Sequence, residues 1–241
     1  MTELEALGIP PLVVITLIVA LGSLVQATIG FGMALIAAPL LLLVDPAFVP
    51  GPVIATALCL TVMVTLRERR AVEVGQIGWL VSGRLPGTVA GAWLLASAPP
   101  EHLDALLGGL ILLAVLLTII TPEIRPTRST LAGAGILSGI MGTVSSIGGP
   151  PVALLLQHAE GRKLRATMSG YFMFSTVLSL AALTWVGHFD LERLRMAGQL
   201  LPGCVLGFAL ATPLRDLVDR AYTRPAVLAL SALAAVAVFL R

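Results

Sequence analysis

The sequence predicts an all-α fold. It reads as a polytopic helical membrane protein of two repeats, each a broken re-entrant helical hairpin followed by three transmembrane helices, with the second repeat inverted. Three observations carry that expectation. Hydrophobic residues make up 57% of the 241 residues and charged residues 12%, with a mean hydropathy of +0.99, whereas a soluble domain is usually about 25% charged. Apolar runs of about 20 residues, the length that crosses a bilayer, recur along the whole chain. Two of these runs are interrupted by glycine and proline at corresponding places, and the loops differ in charge.

Taken in order, residues 12–44 form an apolar run of 33 residues, too long for one span. It is interrupted by Gln26-Ala-Thr-Ile-Gly-Phe-Gly32 and is read as the first hairpin. A span follows at 46–66, where Pro46, Pro50 and Pro52 come early enough to begin a helix, and Arg67, Arg69 and Arg70 close it. The next spans are 77–96, ended by Pro99-Pro100, and 103–120. A polar link with Arg125 and Arg128 separates this first repeat, residues 1–122, from the second, residues 130–241. The second repeat has a hairpin at 130–158 and spans at 167–186, 196–212 and 225–240, with Arg162, Lys163 and Arg165 between the hairpin and the first span.

The second interruption is the more informative. Its middle is Ser145, Ser146, Gly148, Gly149, Pro150 and Pro151. Within a helix, glycine costs about 1 kcal/mol and proline about 3 kcal/mol relative to alanine, and tandem prolines remove two amide donors. At the start of a helix the missing N–H costs nothing. The expected structure is a helix ending near Ser145, a bent glycine tip, and a new helix from Pro150. Freed amides beside a helix N-terminus favour an anion.

The halves also share a motif. Leu85-Pro-Gly-Thr-Val-Ala-Gly91 matches Leu201-Pro-Gly-Cys-Val-Leu-Gly207, 116 residues on, and Thr28-Ile-Gly-Phe-Gly32 lies 118 residues before Ser146-Ile-Gly-Gly-Pro150. Lys and Arg favour cytoplasmic loops. That places the basic loops 67–70, 162–165 and 215–224 inside and the loops 45–52 and 97–104, which have acids but no Lys or Arg, outside. Arg125 and Arg128 put both ends of 130–158 on one side, so this segment enters and returns. Glu3 and Glu5 fit an outside entry for the first hairpin, and with no Lys or Arg before the first apolar run they lack a signal peptide's basic start. Loop 188–195 is ambiguous, with Asp190 and Glu192 beside Arg193 and Arg195.

Hairpin arms of about 14 residues would rise about 21 Å, less than a hydrocarbon core of about 30 Å. Tips entering from opposite faces would meet near the midplane, as in transporters with broken helices. The candidate substrate-binding residues are therefore Gln26, Thr28, Gly30 and Gly32 at the first tip, and Ser145, Ser146, Gly148, Gly149 and Pro150 at the second. The alternative is a packing kink, with the hydroxyls and Gln26 satisfying freed backbone carbonyls. Arg84 completes the list as a cation well inside a span, a functional position by default. Its competing expectation is snorkelling to the cytoplasmic end. Ser169, Tyr171 and Ser175 are candidates either to line a cavity or to pack as polar residues, and packing is the expectation.

The Gly-rich broken segments, with Gly30, Gly32 and Pro39 in one half and Ser145–Pro151 (S-x-x-G-G-P-P) in the other, resemble the TauE/SafE family of sulfite exporters, over essentially the whole chain. The resemblance implies transport of sulfite, sulfonates or related sulfur- or carboxylate-containing anions across the bacterial inner membrane. The residues themselves reach only a secondary carrier for a small anion. The other classes left open are a membrane-embedded enzyme and a non-transporting scaffold subunit.

No acid lies deep in a span and no metal-ligand or phosphate-loop spacing occurs, so an enzyme, a cofactor, a metal and an ATP-driven pump are not expected. The expected partners are a small anion and the bilayer. A net charge of +2 argues against nucleic acid, and a homodimer is compatible with the chain. Cys59 and Cys204 are expected to be free, buried thiols.

Overall fold

The computed structural model of the chain describes residues 10–119 and 124–214. The expected loop 215–224 and span 225–240, together with Glu3 and Glu5, lie outside the described residues. The described residues form nine α-helices and no strand: α1 Pro11–Ile29, α2 Met33–Val44, α3 Gly51–Glu68, α4 Val74–Ser97, α5 Leu103–Ile119, α6 Arg128–Ser145, α7 Gly149–Leu156, α8 Gly161–Trp185 and α9 Leu191–Leu214. α1, α8, α9 and α3 with its short 3-10 extension are long and apolar enough to cross a membrane.

Local chemistry explains both breaks. α1 begins on Pro11 and ends at Gly30, whose φ of 112° is the left-handed cap that glycine adopts without a Cβ penalty; the Gly30 amide donates to the Gln26 carbonyl. The first amide of α2, Met33, donates to Gln26 Oε1 at 3.1 Å. The start of α2 folds back so closely that a Cβ on Gly22 would lie 2.8 Å from the Met33 carbonyl oxygen. At the second break, α6 opens on a capping box between Thr127 and Thr130 and stops at Ser146, with φ 66°. α7 then begins at Gly149 rather than Pro150, placing both prolines in its first turn, where no amide bond is lost. Ser138 Oγ donates to the Gly148 carbonyl at 2.6 Å, so this break also folds back beside the helix before it.

The arms differ from the expected 14 residues. α1 and α6 have 19 and 18 residues, while α2 and α7 have 12 and 8. At 1.5 Å per residue the first arms are about 28 and 27 Å long. Each return arm is therefore shorter than the arm leading to its break.

The repeated Leu-Pro-Gly motif is a packing device. α4 lies along α6 and α9 lies along α1. A Cβ on Gly87 would overlap the Ile136 carbonyl of α6, and one on Gly203 would overlap the Thr16 carbonyl of α1. Gly91 and Gly207, one turn on, lie in the same way against Ile140 and Ala20. Small residues four apart let helix backbones approach, a means of association that apolar solvent leaves available. The contacts advance together along each pair, so the paired helices are parallel. α3 and α8 pack against each other.

One end of the bundle gathers the basic segments. Lys163 pairs with Glu73 at 3.6 Å, and the Glu73 amide donates to Thr167 Oγ1 at 3.2 Å. Arg128, opening α6, stacks over Trp79 near the start of α4 at 5.4 Å. Residues 162–165, expected as a loop, are instead the first turn of α8, because Glu160 and Gly161 already start the helix there. The loop ambiguity at 188–195 has a local cause: Asp190 accepts from the Arg193 amide and guanidinium, which hold its carboxyl below the usual range. Cys204 is buried, but Cys59 is exposed on the outer face of α3, and both are free thiols.

The close contacts give a test with an inverted sign. Replacing glycine by alanine in an unconstrained helix gains about 1 kcal/mol, whereas overpacking costs about 1–3 kcal/mol, read as about 2–4 °C per kcal/mol in a chain of this size. Gly87→Ala and Gly203→Ala should lower the apparent melting temperature of the purified protein. Gly78→Ala, which adds its methyl to open space on the same α4, should not. Equal tolerance at all three sites would mean that the close approach is not needed.

Candidate functional site

Arg84 sits on α4 one turn before Gly87, so the close α4–α6 contact carries its side chain into the bundle. It is 3% exposed. The expected snorkelling does not occur, because the guanidinium is held sideways by the neighbouring helices. Nη1 donates to the carbonyl oxygen of Ser138 and, at 3.0 Å, to its Oγ; Nη2 donates to Ser179 Oγ at 2.7 Å and to the Ser175 carbonyl at 3.5 Å. Space for it is made by missing side chains: a Cβ on Gly142 or on Gly148 would lie 2.8 Å from Nη1. Among the described residues no carboxylate pairs with it, and Nε is buried without a hydrogen-bond partner. A buried charge needs compensation from hydrogen bonds or an opposite charge, and here neutral oxygens supply only part of it.

Beside this guanidinium lies a small cleft lined by both breaks. Gln26, Phe31 and Gly32 contribute from the first, and Ser146 to Pro150 from the second. The lining includes Arg84, Ser175, whose buried Oγ has no partner, and Gly148 and Gly149, whose amides meet no acceptor among the described residues. Phe31, Leu35, Ile54, Ile147 and Phe172 are the larger apolar side chains of the lining, beside Thr61 and Thr176. The site offers both hydrogen-bond donors and apolar surface.

Of the residues singled out from the sequence, Gln26, Gly32, Arg84, Ser146, Gly148, Gly149 and Pro150 line this cleft, whereas Thr28, Gly30 and Ser145 do not. Thr28 Oγ1 donates to the Leu24 and Val25 carbonyls, and Ser145 Oγ to Met141. Gly30 backs onto Arg165. Ser146 lines the cleft, but its hydroxyl donates to the Pro50 carbonyl at 3.0 Å. The Thr28 and Ser145 hydroxyls bond back to the preceding turn of their own helices, and that of Ser146 ties the second break to the start of α3. Gln26 spends its oxygen on Met33, which leaves its amide nitrogen for the cleft.

Several lining residues were not singled out, among them Thr61, Phe31, Phe172 and Thr176. Ser175 was expected to be packing and instead faces the cleft. A signal existed: Tyr171, Ser175 and Ser179 recur every fourth residue, a polar stripe on one face of α8.

The carbonyl end of α1 would repel an anion, but it is covered by cations. Arg165 Nη1 donates to the Thr28 carbonyl at 3.3 Å and its Nε to buried Glu68 at 2.9 Å, and Arg67 Nη2 donates to the Ala27 carbonyl at 2.6 Å. Arg165 is buried inside the bundle, not in a loop.

Hydroxyls and an arginine inside, with Leu17, Val89, Trp93, Val177 and Trp185 on the outside, define a multi-pass helical membrane protein. A family model described as Sulfite exporter TauE/SafE matches residues 15–238, and the chain belongs to that family. Neither curated proteins nor solved structures give a match.

The second break offers a direct probe. A Cβ on Gly149 would sit 3.3 Å from Phe31 and 3.6 Å from Phe172, at the cleft that Gly149 lines, so Gly149→Leu should fill the cleft beside the Gly149 amide. Losing one charge-assisted hydrogen bond costs about 1.5–3 kcal/mol, about tenfold or more in affinity. Gly109→Leu, in open space on α5, should bind and transport like the wild type. A monodisperse Gly149→Leu protein with wild-type affinity would make the break a kink only.

Proposed function

We propose that this chain is a secondary carrier that moves a small organic anion across the bacterial inner membrane, bound between the two broken helices with Arg84 as its positive pole. The observation that carries the reading is Arg84: buried, without a carboxylate partner among the described residues, and facing a cleft that both breaks line. A fixed cation with a spare Nε, an unpartnered hydroxyl and helix-start amides stabilise an oxyanion and give no site to a cation. Family membership supports an anion of the sulfite type as cargo.

The apolar part of the lining narrows the class. A bare inorganic oxyanion would use only the donors, leaving Phe31, Leu35 and Phe172 without a counterpart. A sulfonate or carboxylate with a short apolar body matches both kinds of lining. The reciprocal packing of α4 on α6 and α9 on α1, and the gathering of Arg128, Lys163 and Glu73 at one end, support hairpins that enter and return, arranged as an inverted repeat. In that arrangement, rocking one half against the other around the cleft would expose it to each side in turn.

Proteoliposome flux tests the reading. Each added CH₂ buried against the apolar side chains is worth about 0.8 kcal/mol, so ethanesulfonate should compete roughly fourfold better than methanesulfonate, and both better than sulfite. Absence of any anion flux would overturn the carrier reading. A ranking with sulfite first would overturn the role of the apolar side chains.

A further inference from the structure

Ser138 is fully buried on α6, two turns before the break, and outside the cleft lining. Its hydroxyl is the centre of three hydrogen bonds. It accepts from Arg84 Nη1 at 3.0 Å and from the Tyr171 hydroxyl at 2.9 Å, and it donates to the Gly148 carbonyl at 2.6 Å. A serine hydroxyl has one proton and two lone pairs. With two donors aimed at its oxygen, the proton has one remaining destination, the Gly148 carbonyl.

That fixes a peptide plane. The Gly148–Gly149 bond is trans, since the one cis bond among the described residues is Val49–Pro50, and in a trans peptide the C=O and the following N–H point in opposite directions. Holding the Gly148 oxygen back against α6 therefore turns the Gly149 N–H forward, to the cleft that Gly149 lines. Glycine on both sides of the bond makes this plane easy to flip when unrestrained. A flip would replace a donor by a carbonyl oxygen, which repels an anion.

We infer that Ser138, locked by Tyr171 and Arg84, is a positioning residue that sets the polarity of the anion site by pinning the Gly148–Gly149 peptide. The inference rests on the anion-site reading above. Tyr171 is fully buried, and its hydroxyl secures Ser138 without touching the cleft.

Calorimetric titration of the purified full-length protein in nanodiscs with ethanesulfonate tests this, alongside the ligand-free melting temperature of each variant. Ser138→Ala should weaken binding roughly tenfold, the loss of one donor to a charged ligand. Tyr171→Phe should weaken it in the same direction by less. The double variant, in which no tyrosine hydroxyl is left unpaired, should match Ser138→Ala rather than the product of the two, because both act through one peptide. In flux, the KM for ethanesulfonate should rise in step while the maximal rate holds. A purely structural role would instead lower the ligand-free melting temperature and leave affinity per folded molecule unchanged. Arg84→Gln separates the two levels. If it abolishes binding while Ser138→Ala and the double variant bind like the wild type, the positioning role is wrong and the site stands. If Arg84→Gln binds normally, the site reading falls and this inference with it.

Discussion

A guanidinium buried among helices, with no carboxylate beside it among the described residues, is the constraint on which the rest of the structure depends. Removing such a charge from water is expensive unless polar groups surround it, and Arg84 has drawn them from two elements: the Ser138 carbonyl and hydroxyl on α6, and Ser179 and the Ser175 carbonyl on α8. These neutral partners orient the charge without cancelling it. The interior keeps a positive pole, and a binding anion would complete the compensation.

Fold and site are joined through glycine. Gly83, Gly87 and Gly91 bring α4 onto the α6 backbone, which puts Arg84 within reach of Ser138. Gly142 and Gly148 then leave room for the guanidinium itself. The same approach of α9 on α1 through Gly203 and Gly207 positions the helix that ends at the first break, where Arg165 and Arg67 cover the α1 carbonyls. α4 thus holds the helix leading to the second break, and α9 the helix leading to the first.

Much of this was legible in the sequence. Tandem prolines after two glycines have one comfortable place in an apolar segment, the first turn of a new helix, and α7 starts within one residue of that expectation. The repeated Leu-Pro-Gly motif could be found by comparing the halves, but its purpose could not, since which backbone a glycine meets is a tertiary fact. The depth and direction of Arg84 were hidden for the same reason. Hydropathy gives its distance from the helix end and says nothing of the serines on α6 and α8 that hold it. Arms of about 14 residues do not form because each break lies off the centre of its apolar run: α1 and α6 have 19 and 18 residues, and α2 and α7 have 12 and 8. Arg165 was read as a loop residue by its charge, and its burial follows from Glu68 and the free carbonyl of Thr28, partners distant in sequence.

The central claim is that an organic anion sits with its charged head on Arg84 and the Gly149 amide and its body against Phe31 and Phe172. Crystals grown with 2-bromoethanesulfonate would locate both ends at once, through the anomalous signal of bromine and the density of the sulfonate. The account predicts the sulfonate within hydrogen-bond distance of Arg84 and Gly149, and the bromine among Phe31, Leu35 and Phe172. An ordered ligand elsewhere in the bundle, with this cleft empty, would contradict it.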